Sequence, residues 1–393
     1  MAVREEVYGF FIPSVTLIGI GASKAIPEKI TALGGSKPLI VTDQGIVKSG
    51  ILKQITDLLD AAKMKYQVYS DTIPNPTDEN VHAGVEVYKK NKCDSLITLG
   101  GGSSHDCGKG IGLVVSNGGK IHDYEGVDKS TKPLPPYLAV NTTAGTASEM
   151  TRFCIITDLS RHVKMAIVDW RVTPNIAIDD PVLMVGMPPA LTAATGMDAL
   201  THAVEAYVST IATPMTDACA EKSIELIFKY LRKAVANGAD IEAREGMCFA
   251  QYLAGMAFNN ASLGHVHAMA HQLGGFYDLP HGECNAILLP HVEKFNLIAR
   301  VERFAKMAQI MGENIKGMSK RAAAEVCLDA IKQLSADVGI PAGLVELGKR
   351  YGKNVQEKDI ETMTKNAQKD ACGFTNPRCP KDADVVAIYK AAM

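Results

Sequence analysis

The sequence is short of several things at once. Tryptophan occurs once in 393 residues and aromatics make up 6%, too few for a base-stacking platform along single-stranded nucleic acid. Basic residues number 41 against 43 acidic ones, a net charge of −2, so there is no basic footprint for nucleic acid. No apolar run reaches the roughly 18 residues that crossing a membrane takes. The start, MAVREEVYGFFIPS, lacks a basic stretch followed by an apolar one, which argues against export. The nine cysteines are scattered, odd in number and never spaced CxxC. That argues against a disulfide framework or a cysteine zinc site and fits reduced thiols in a cytoplasm.

What remains is globular composition, 47% hydrophobic and 21% charged, in a chain long enough for two or three domains. Up to about residue 184 short β-rich runs alternate with helical patterns. The strand candidates are Lys37–Thr42, Tyr66–Tyr69, Ser95–Leu99, Tyr137–Asn141, and Lys164–Val168 paired with Asn175–Ile178. Amphipathic stretches at Ile51–Ala62 and Val81–Lys90 lie between them. Such alternation predicts βαβ units and a mostly parallel sheet, with ligands at the carboxyl ends of its strands. Beyond Asp180–Pro181 the chain turns rich in Ala, Leu, Met, Glu and Lys. Helical periodicity fits Cys219–Val235, Ile241–Asn259, Val301–Met311 and Ala322–Val338. The expectation is an α/β domain over residues 1–183 and an all-helical domain over 184–393, closely packed because no long linker separates them.

In the first half, SLITLGGGSSHDCGKGIG runs an apolar strand through three glycines into a helical pattern. Glycines admit a ligand close to the backbone, and the helix start offers free N–H groups and a positive dipole end. A pyrophosphate fits there; a bare tight turn would need fewer glycines. Asp43 ends the strand KPLIVT, where an acid accepts hydrogen bonds from a ribose 2′-hydroxyl and repels a 2′-phosphate, although Asp is also a common turn residue. The acid precedes the glycines, so this would be a variant of the dinucleotide fold. The loop NTTAGTASE supplies Thr142, Thr143 and Thr146, for a nucleotide or for capping a helix.

The second half concentrates imidazoles. GHVHAMAHQLGGFYDLPHGE holds His265, His267, His271 and His281, and His291 follows. Asp198 and His202 in GMDALTHAVEA stand four apart on one helical face, as do His267 and His271. Imidazoles with one carboxylate suit zinc, iron or another divalent ion with an open position. The competing reading is a set of hydrogen-bonded core histidines. His265 and His291 are assigned to that reading, and spacing alone does not rank His267 against His271 as a ligand.

The blocks GGGSSHD, NTTAGTASE, MPPALTAATGMDALTHAVEAY and GMAFNNASLGHVHAMAHQLGGFYDLPHGECNAILLPH together resemble the iron-containing, group III, alcohol dehydrogenases. The resemblance runs from IPSV to KDACGFTNPRCP, nearly the whole chain, and is strongest to the bacterial branch acting on short primary alcohols and 1,3-propanediol. It implies a fold like that of dehydroquinate synthase, with a dinucleotide domain, a helical metal domain and a cleft between them. It implies Fe2+, with Zn2+ an alternative, held by Asp198, His202, His267 and His281. His271 then stands beside the nicotinamide and the substrate. The implied NAD contacts are Asp43, Asn75, Gly102, Ser103, Thr142, Thr143, Thr151, Phe153, Lys164, Leu183, Gly186 and Met187, with His271. Phe153, Phe258 and the turn at Leu263 would line the substrate side. Two positions depart from the pattern. His265 stands where relatives often carry Tyr and bears on metal identity or pH response; Ala147 stands where many have Gly, a change expected to cost nothing.

The implied activity is reversible hydride transfer between NAD(H) and a short primary alcohol or its aldehyde, with the metal as Lewis acid. Asp43 points to NAD over NADP, and His271 to a proton relay. Family members are usually dimers or larger assemblies. The alternatives are a lyase like dehydroquinate synthase, a zinc polyol dehydrogenase and a metal carrier without turnover. The last of these would have no use for a nucleotide site.

Overall fold

The computed structural model describes residues 7–161 and 163–393. Met1–Glu6, where the segment read as lacking an export signal begins, and His162 lie outside the described residues. The strands are β1 (Val15–Ile18), β2 (Pro38–Asp43), β3 (Gln67–Thr72), β4 (Ser95–Gly100), β5 (Gly126–Val127), β6 (Tyr137–Asn141), β7 (Phe153–Asp158), β8 (Val163–Val168) and β9 (Ile176–Asp179). Six form a parallel sheet in the order β1-β9-β6-β4-β2-β3, and β5-β8-β7 form a smaller one. Helices α1 (Ile26–Ala32), α2 (Gln44–Lys48), α3 (Ile51–Ala61), α4 (Asp78–Lys90) and α5 (Gly102–Asn117) cover the large sheet.

Strands β4 and β6 are buried along their whole length, and β2 along all but its last residue, which explains their near-continuous apolar sequences: a parallel sheet is covered on both faces. Alternation sorts their side chains. Leu39, Val41 and Leu96 pack with Val81, Val85 and Ile111 of α4 and α5. Ile40, Ile97 and Leu138 pack with Ile26, Ile55 and Leu59 of α1 and α3.

Two strand expectations are corrected. Tyr66–Tyr69 becomes Gln67–Thr72. Lys164–Val168 does not pair with Asn175–Ile178: β8 is antiparallel to β7, and β9 lies between β1 and β6. Both partners are equally rich in β-branched residues, so composition cannot choose between them.

From Pro181 on, the described chain carries no strand. Its helices are α6 (Pro189–Val208), α7 (Pro214–Ala236), α8 (Ile241–Ala261), α9 (His265–Tyr277), α10 (His281–Asn296), α11 (Val301–Ile310), α12 (Lys320–Asp337), α13 (Leu344–Arg350), α14 (Ile360–Ala367) and α15 (Asp382–Ala392). Helix α7 begins five residues before the expected Cys219, because Thr213 caps it in a capping box with Thr216 and Pro214 takes the first helical position.

The halves meet through buried polar contacts. Arg152 N–H donates to Asn259 Oδ1 (3.0 Å), and Asn259 Nδ2 donates to the Phe11 carbonyl (2.8 Å). Gln251 Nε2 of α8 donates to both Glu149 Oε1 (2.8 Å) and Asp179 Oδ1 (3.1 Å). Glu149 and Asp179 are buried and hydrogen-bond one another. Burial, helped by the mutual charge, pushes Asp179 well up; burial raises Glu149 from 4.5 to about 7, against the opposing pull of Gln251 and Lys109. Both acids therefore hold their protons to higher pH than a solvated carboxyl does.

For a group whose folded pKa is raised, stability is fully present below the unfolded value and lost as pH rises through the folded one. For Glu149 that window runs from 4.5 to about 7. Asp179→Asn keeps an acceptor for Asn141 and Gln251 and offers Glu149 a permanent donor. Thermal melts should show the parent losing more stability than Asp179→Asn between pH 5 and pH 8; parallel curves would refute a raised Asp179.

Candidate metal and nucleotide site

The carboxyl ends of β2, β4, β6 and β9 line up because the strands are parallel and in register, with Gly100 opposite Asn141 and Asn141 opposite Asp179. That row carries Asp43, the triple glycine and the Asn141–Thr143 loop. Gly100 has φ +148, and a Cβ on it would lie 2.5 Å from Ser104 Oγ. A Cβ on Gly101 would lie 2.9 Å from Thr143, and one on Gly102 3.2 Å from Thr146. Glycine is therefore required for the approach of the two loops, and α5 starts at Gly102 with its N-terminal amides toward them. Thr142 N–H donates to the Gly100 carbonyl (3.0 Å), tying the loops together.

Asp43 is tied down as well. Its Oδ1 accepts from the N–H groups of Gly45 (2.7 Å) and Ile46 (3.0 Å), capping α2, and its Oδ2 accepts from Ser104 Oγ (3.2 Å). Asn75, in the left-handed region at φ 54, accepts at Oδ1 from Lys164 Nζ (2.9 Å). Burial lowers the Lys164 pKa. Thr151 Oγ1 (3.1 Å) and the Phe153 carbonyl (2.7 Å) accept from Lys109 Nζ, a wholly buried lysine whose pKa is lowered by desolvation. Leu183, Gly186 and Met187 lie on the connection from β9 into α6; Arg244 Nη2 of α8 anchors it at the Met187 carbonyl (3.0 Å).

Ala147 has φ 52 and ψ 22, the left-handed region. An alanine there costs about 1 kcal/mol, so the substitution is not free at the backbone. Its buried methyl packs where a Cβ on Gly255 would be 2.5 Å away. Burying a methyl contributes about 0.8 kcal/mol in return.

The histidines converge in the helical half. Asp198 of α6, His267 of α9 and His281 at the start of α10 place one donor atom each within 4.8 Å of one another. Asp198 Oδ1 stands 3.8 Å from His267 Nε2 and 3.7 Å from His281 Nε2. Donors about 2.1 Å from a tetrahedral ion are about 3.4 Å apart, so this set fits a divalent cation. Desolvation holds His267 at about 4 and His281 well below the usual range, which keeps both imidazoles neutral; their Nε2 atoms lie 3.2 and 3.0 Å from Asn285 Nδ2. His202 lies alongside, its ring centre 4.7 Å from that of His267, but outside this set of three. Its Nδ1 is buried without a hydrogen-bond partner.

His271 stacks on His281 with ring centres 5.3 Å apart and faces His267 edge-on at 6.2 Å. His265 is not part of this group. Its ring packs where a Cβ on Gly373 would lie 2.7 Å away, with Nε2 at 3.4 Å from Gln368 Oε1. Burial lowers His291, which sits near Lys332 and Lys294. Phe258 stacks on His202 at 4.2 Å and reaches Phe153 of the sheet half at 6.1 Å, so a row of rings joins the two halves.

Three site residues escaped sequence reasoning. Glu205, one turn beyond His202 on α6, accepts from His267 Nδ1 (2.5 Å) and from Val266 N–H (2.7 Å). Asn285, one turn after His281, donates to Asp198 Oδ1 (2.7 Å). Asp370 accepts from His271 Nδ1 (2.8 Å). The first two were legible as continuations of the faces bearing His202 and His281. Asp370 lies 99 residues from its partner, and no local signal marks it.

Residues 13–181 match the model of the iron-containing alcohol dehydrogenases, and residues 192–393 that of the C-terminal part of the Fe-containing alcohol dehydrogenase family. The chain belongs to the iron-containing alcohol dehydrogenase family. It is 54% identical over 388 residues to alcohol dehydrogenase 4 of Schizosaccharomyces pombe, covering 98% of this chain and 89% of that one. It is 49% identical to the NAD-dependent methanol dehydrogenase of Bacillus methanolicus, over 98% of this chain and 99% of that one. A solved 1,3-propanediol oxidoreductase superposes with a TM-score of 0.96 at 50% identity, over 99% of this chain and all of that one. The chain is thus an alcohol dehydrogenase that interconverts alcohols and aldehydes, and the lyase and metal-carrier readings fall away.

Within this dehydrogenase Glu205 carries the clearest consequence. A carboxylate at the distal nitrogen of a ligating imidazole fixes its tautomer, and losing it weakens metal binding 10- to 100-fold. Glu205→Gln should release metal to a competing chelator in that proportion while its circular dichroism stays that of the parent. Unchanged affinity would remove Glu205 from the site.

Proposed function

We propose that the enzyme oxidises short primary alcohols or diols with NAD and reduces the corresponding aldehydes, using Fe2+, with Zn2+ the alternative. Asp198, His202, His267 and His281 hold the metal; the partnerless Nδ1 of His202 favours it as the fourth donor. The observation that carries this reading is the convergence of Asp198, His267 and His281 beside residues of the nucleotide half, with the Phe153–Phe258–His202 row between them.

When bound, the cation supplies Lewis acidity at the alcohol oxygen and NAD accepts the hydride. Three neutral imidazoles and one carboxylate leave a +2 ion with one charge of −1 to set against it, a net charge that favours an anionic oxygen. Gly102, Ser103, Thr142 and Thr143 border the pyrophosphate at the α5 terminus. Asn75 and Lys164 form a polar pair on the nicotinamide side. Thr151, Phe153, Leu183, Gly186 and Met187 complete the cofactor contacts, and Asp43 takes the ribose hydroxyls. His271 receives the hydroxyl proton and passes it outward; its side chain is 25% exposed, enough for exchange with water.

The division into residues 1–183 and 184–393, a cytoplasmic location and a homodimeric or larger assembly belong to the same reading. Its support for a reducing compartment is that the nine cysteines are all free. No helix among the described residues is long and apolar enough to cross a membrane.

The deciding measurement is NADH absorbance with chelator-treated enzyme, NAD and 1-propanol, before and after anaerobic ferrous iron. NADH should appear with iron and be far lower without it; none with iron, zinc or other alcohols would overturn the proposal. Asp43→Gly tests the coenzyme. Glycine keeps the cap loss to a few tenths of a kcal/mol, so the ratio of NADP to NAD activity should rise at least tenfold in a fully folded protein. An unchanged ratio would remove Asp43 from coenzyme choice.

A further inference from the structure

Both histidines of the HVHAMAH segment have a carboxylate at Nδ1, and the two carboxylates come from different parts of the chain. His267 is served by Glu205 from α6, and His271 by Asp370 from the C-terminal segment. The two settings differ. The Glu205 side chain is 1% exposed, whereas that of Asp370 is 17% and that of His271 25% exposed. The first pair is closed off from water and the second is open to it.

We infer that Asp370 is a positioning residue for the hydride-transfer reaction: its carboxylate takes the Nδ1 proton of His271 and so leaves the Nε2 lone pair free to receive the proton of the alcohol. The inference rests on the proposed relay role of His271. The carboxylate is held from its other side, because Oδ1 accepts from Cys372 N–H (3.0 Å) at the start of the turn Ala371–Thr375. The turn is itself anchored. Thr375 Oγ1 donates to the Leu263 carbonyl (2.6 Å), and Asn376 Oδ1 accepts from His265 N–H (3.2 Å) and Asn296 Nδ2 (3.0 Å). Gly373 sits against the His265 ring too closely for any side chain. Asp370 is thus a rigid acceptor aimed at one imidazole nitrogen, and stacking on His281 sets the plane of that imidazole. A histidine held in one tautomer by a carboxylate loses its function when the acid becomes an amide, because the amide donates where the carboxylate accepted and moves the ring proton to the other nitrogen.

That inversion is the test. In Asp370→Asn, Asn Oδ1 still accepts from Cys372 N–H, so melting temperature and bound metal should match the parent. Its amide donates to Nδ1 and forces the proton onto Nε2. On iron-loaded enzyme kcat should fall 100-fold or more, as for loss of a general base, with the KM for NAD unchanged and the loss at least as large as in Asp370→Ala. Histidine 15N spectra of the zinc-loaded protein, assigned with His271→Gln, should show Nδ1–H in the parent and Nε2–H in Asp370→Asn. A merely structural acid predicts the reverse order, with the isosteric Asn milder than Ala; that order, or an unmoved tautomer, overturns the inference. If Asn disturbs metal content, Asp370→Glu decides: it must keep the Nδ1–H tautomer and at least a tenth of parental kcat, and losing either overturns it. His271→Gln separates the two levels. If it retains parental kcat, the relay reading itself fails. If it is impaired while Asp370→Asn is not, the relay stands and Asp370 has no part in it.

Discussion

Asp198 and four imidazoles stand together in the helical half, and the structure around them answers the cost of removing them from water. A buried Asp without a partner is expensive. Asp198 receives the amide of Asn285, and the imidazoles nearest it lose their affinity for protons through burial. Desolvation thus does chemical work here. It keeps His267 and His281 as neutral lone-pair donors across the physiological range, which is what a cation needs from them. The outer nitrogens are then assigned by carboxylates, from Glu205 on α6 and from Asp370 near the C-terminus.

That donor set is useful only if a nucleotide reaches it, and a separate set of buried polar groups joins the halves. Gln251 of α8 holds the buried acids Glu149 and Asp179 at the end of the sheet. Asn259, two residues before the end of α8, holds the Arg152 backbone, and Lys109 pins the loop carrying Thr151 and Phe153 from within. Phe153, Phe258 and His202 continue the connection as stacked and tilted rings. A displacement of one half would therefore leave several buried donors and acceptors unpaired at once, each a penalty of about 1–3 kcal/mol. The cleft geometry is fixed by hydrogen-bond satisfaction as much as by apolar area.

The sequence by itself determined the class of architecture, because periodicity is local. Apolar runs between glycines, then a switch to helical spacing after Pro181, are enough to place a parallel sheet before a helical half. It also marked the glycine loop and the histidine-rich segment, where residue type and spacing within one turn carry the chemistry. The ligand assignment came from resemblance of whole blocks, since i, i+4 spacing does not rank His267 against His271. What only the tertiary structure decided is every relation between distant segments. Strand β8 pairs with β7 and not with β9; Glu205 meets a histidine 62 residues on, and Asp370 one that lies 99 residues back. Ala147 takes up the left-handed region, which its residue type does not announce. These choices depend on which buried donor finds which acceptor once helices pack, and that is set in three dimensions, where neighbours along the chain have no special claim.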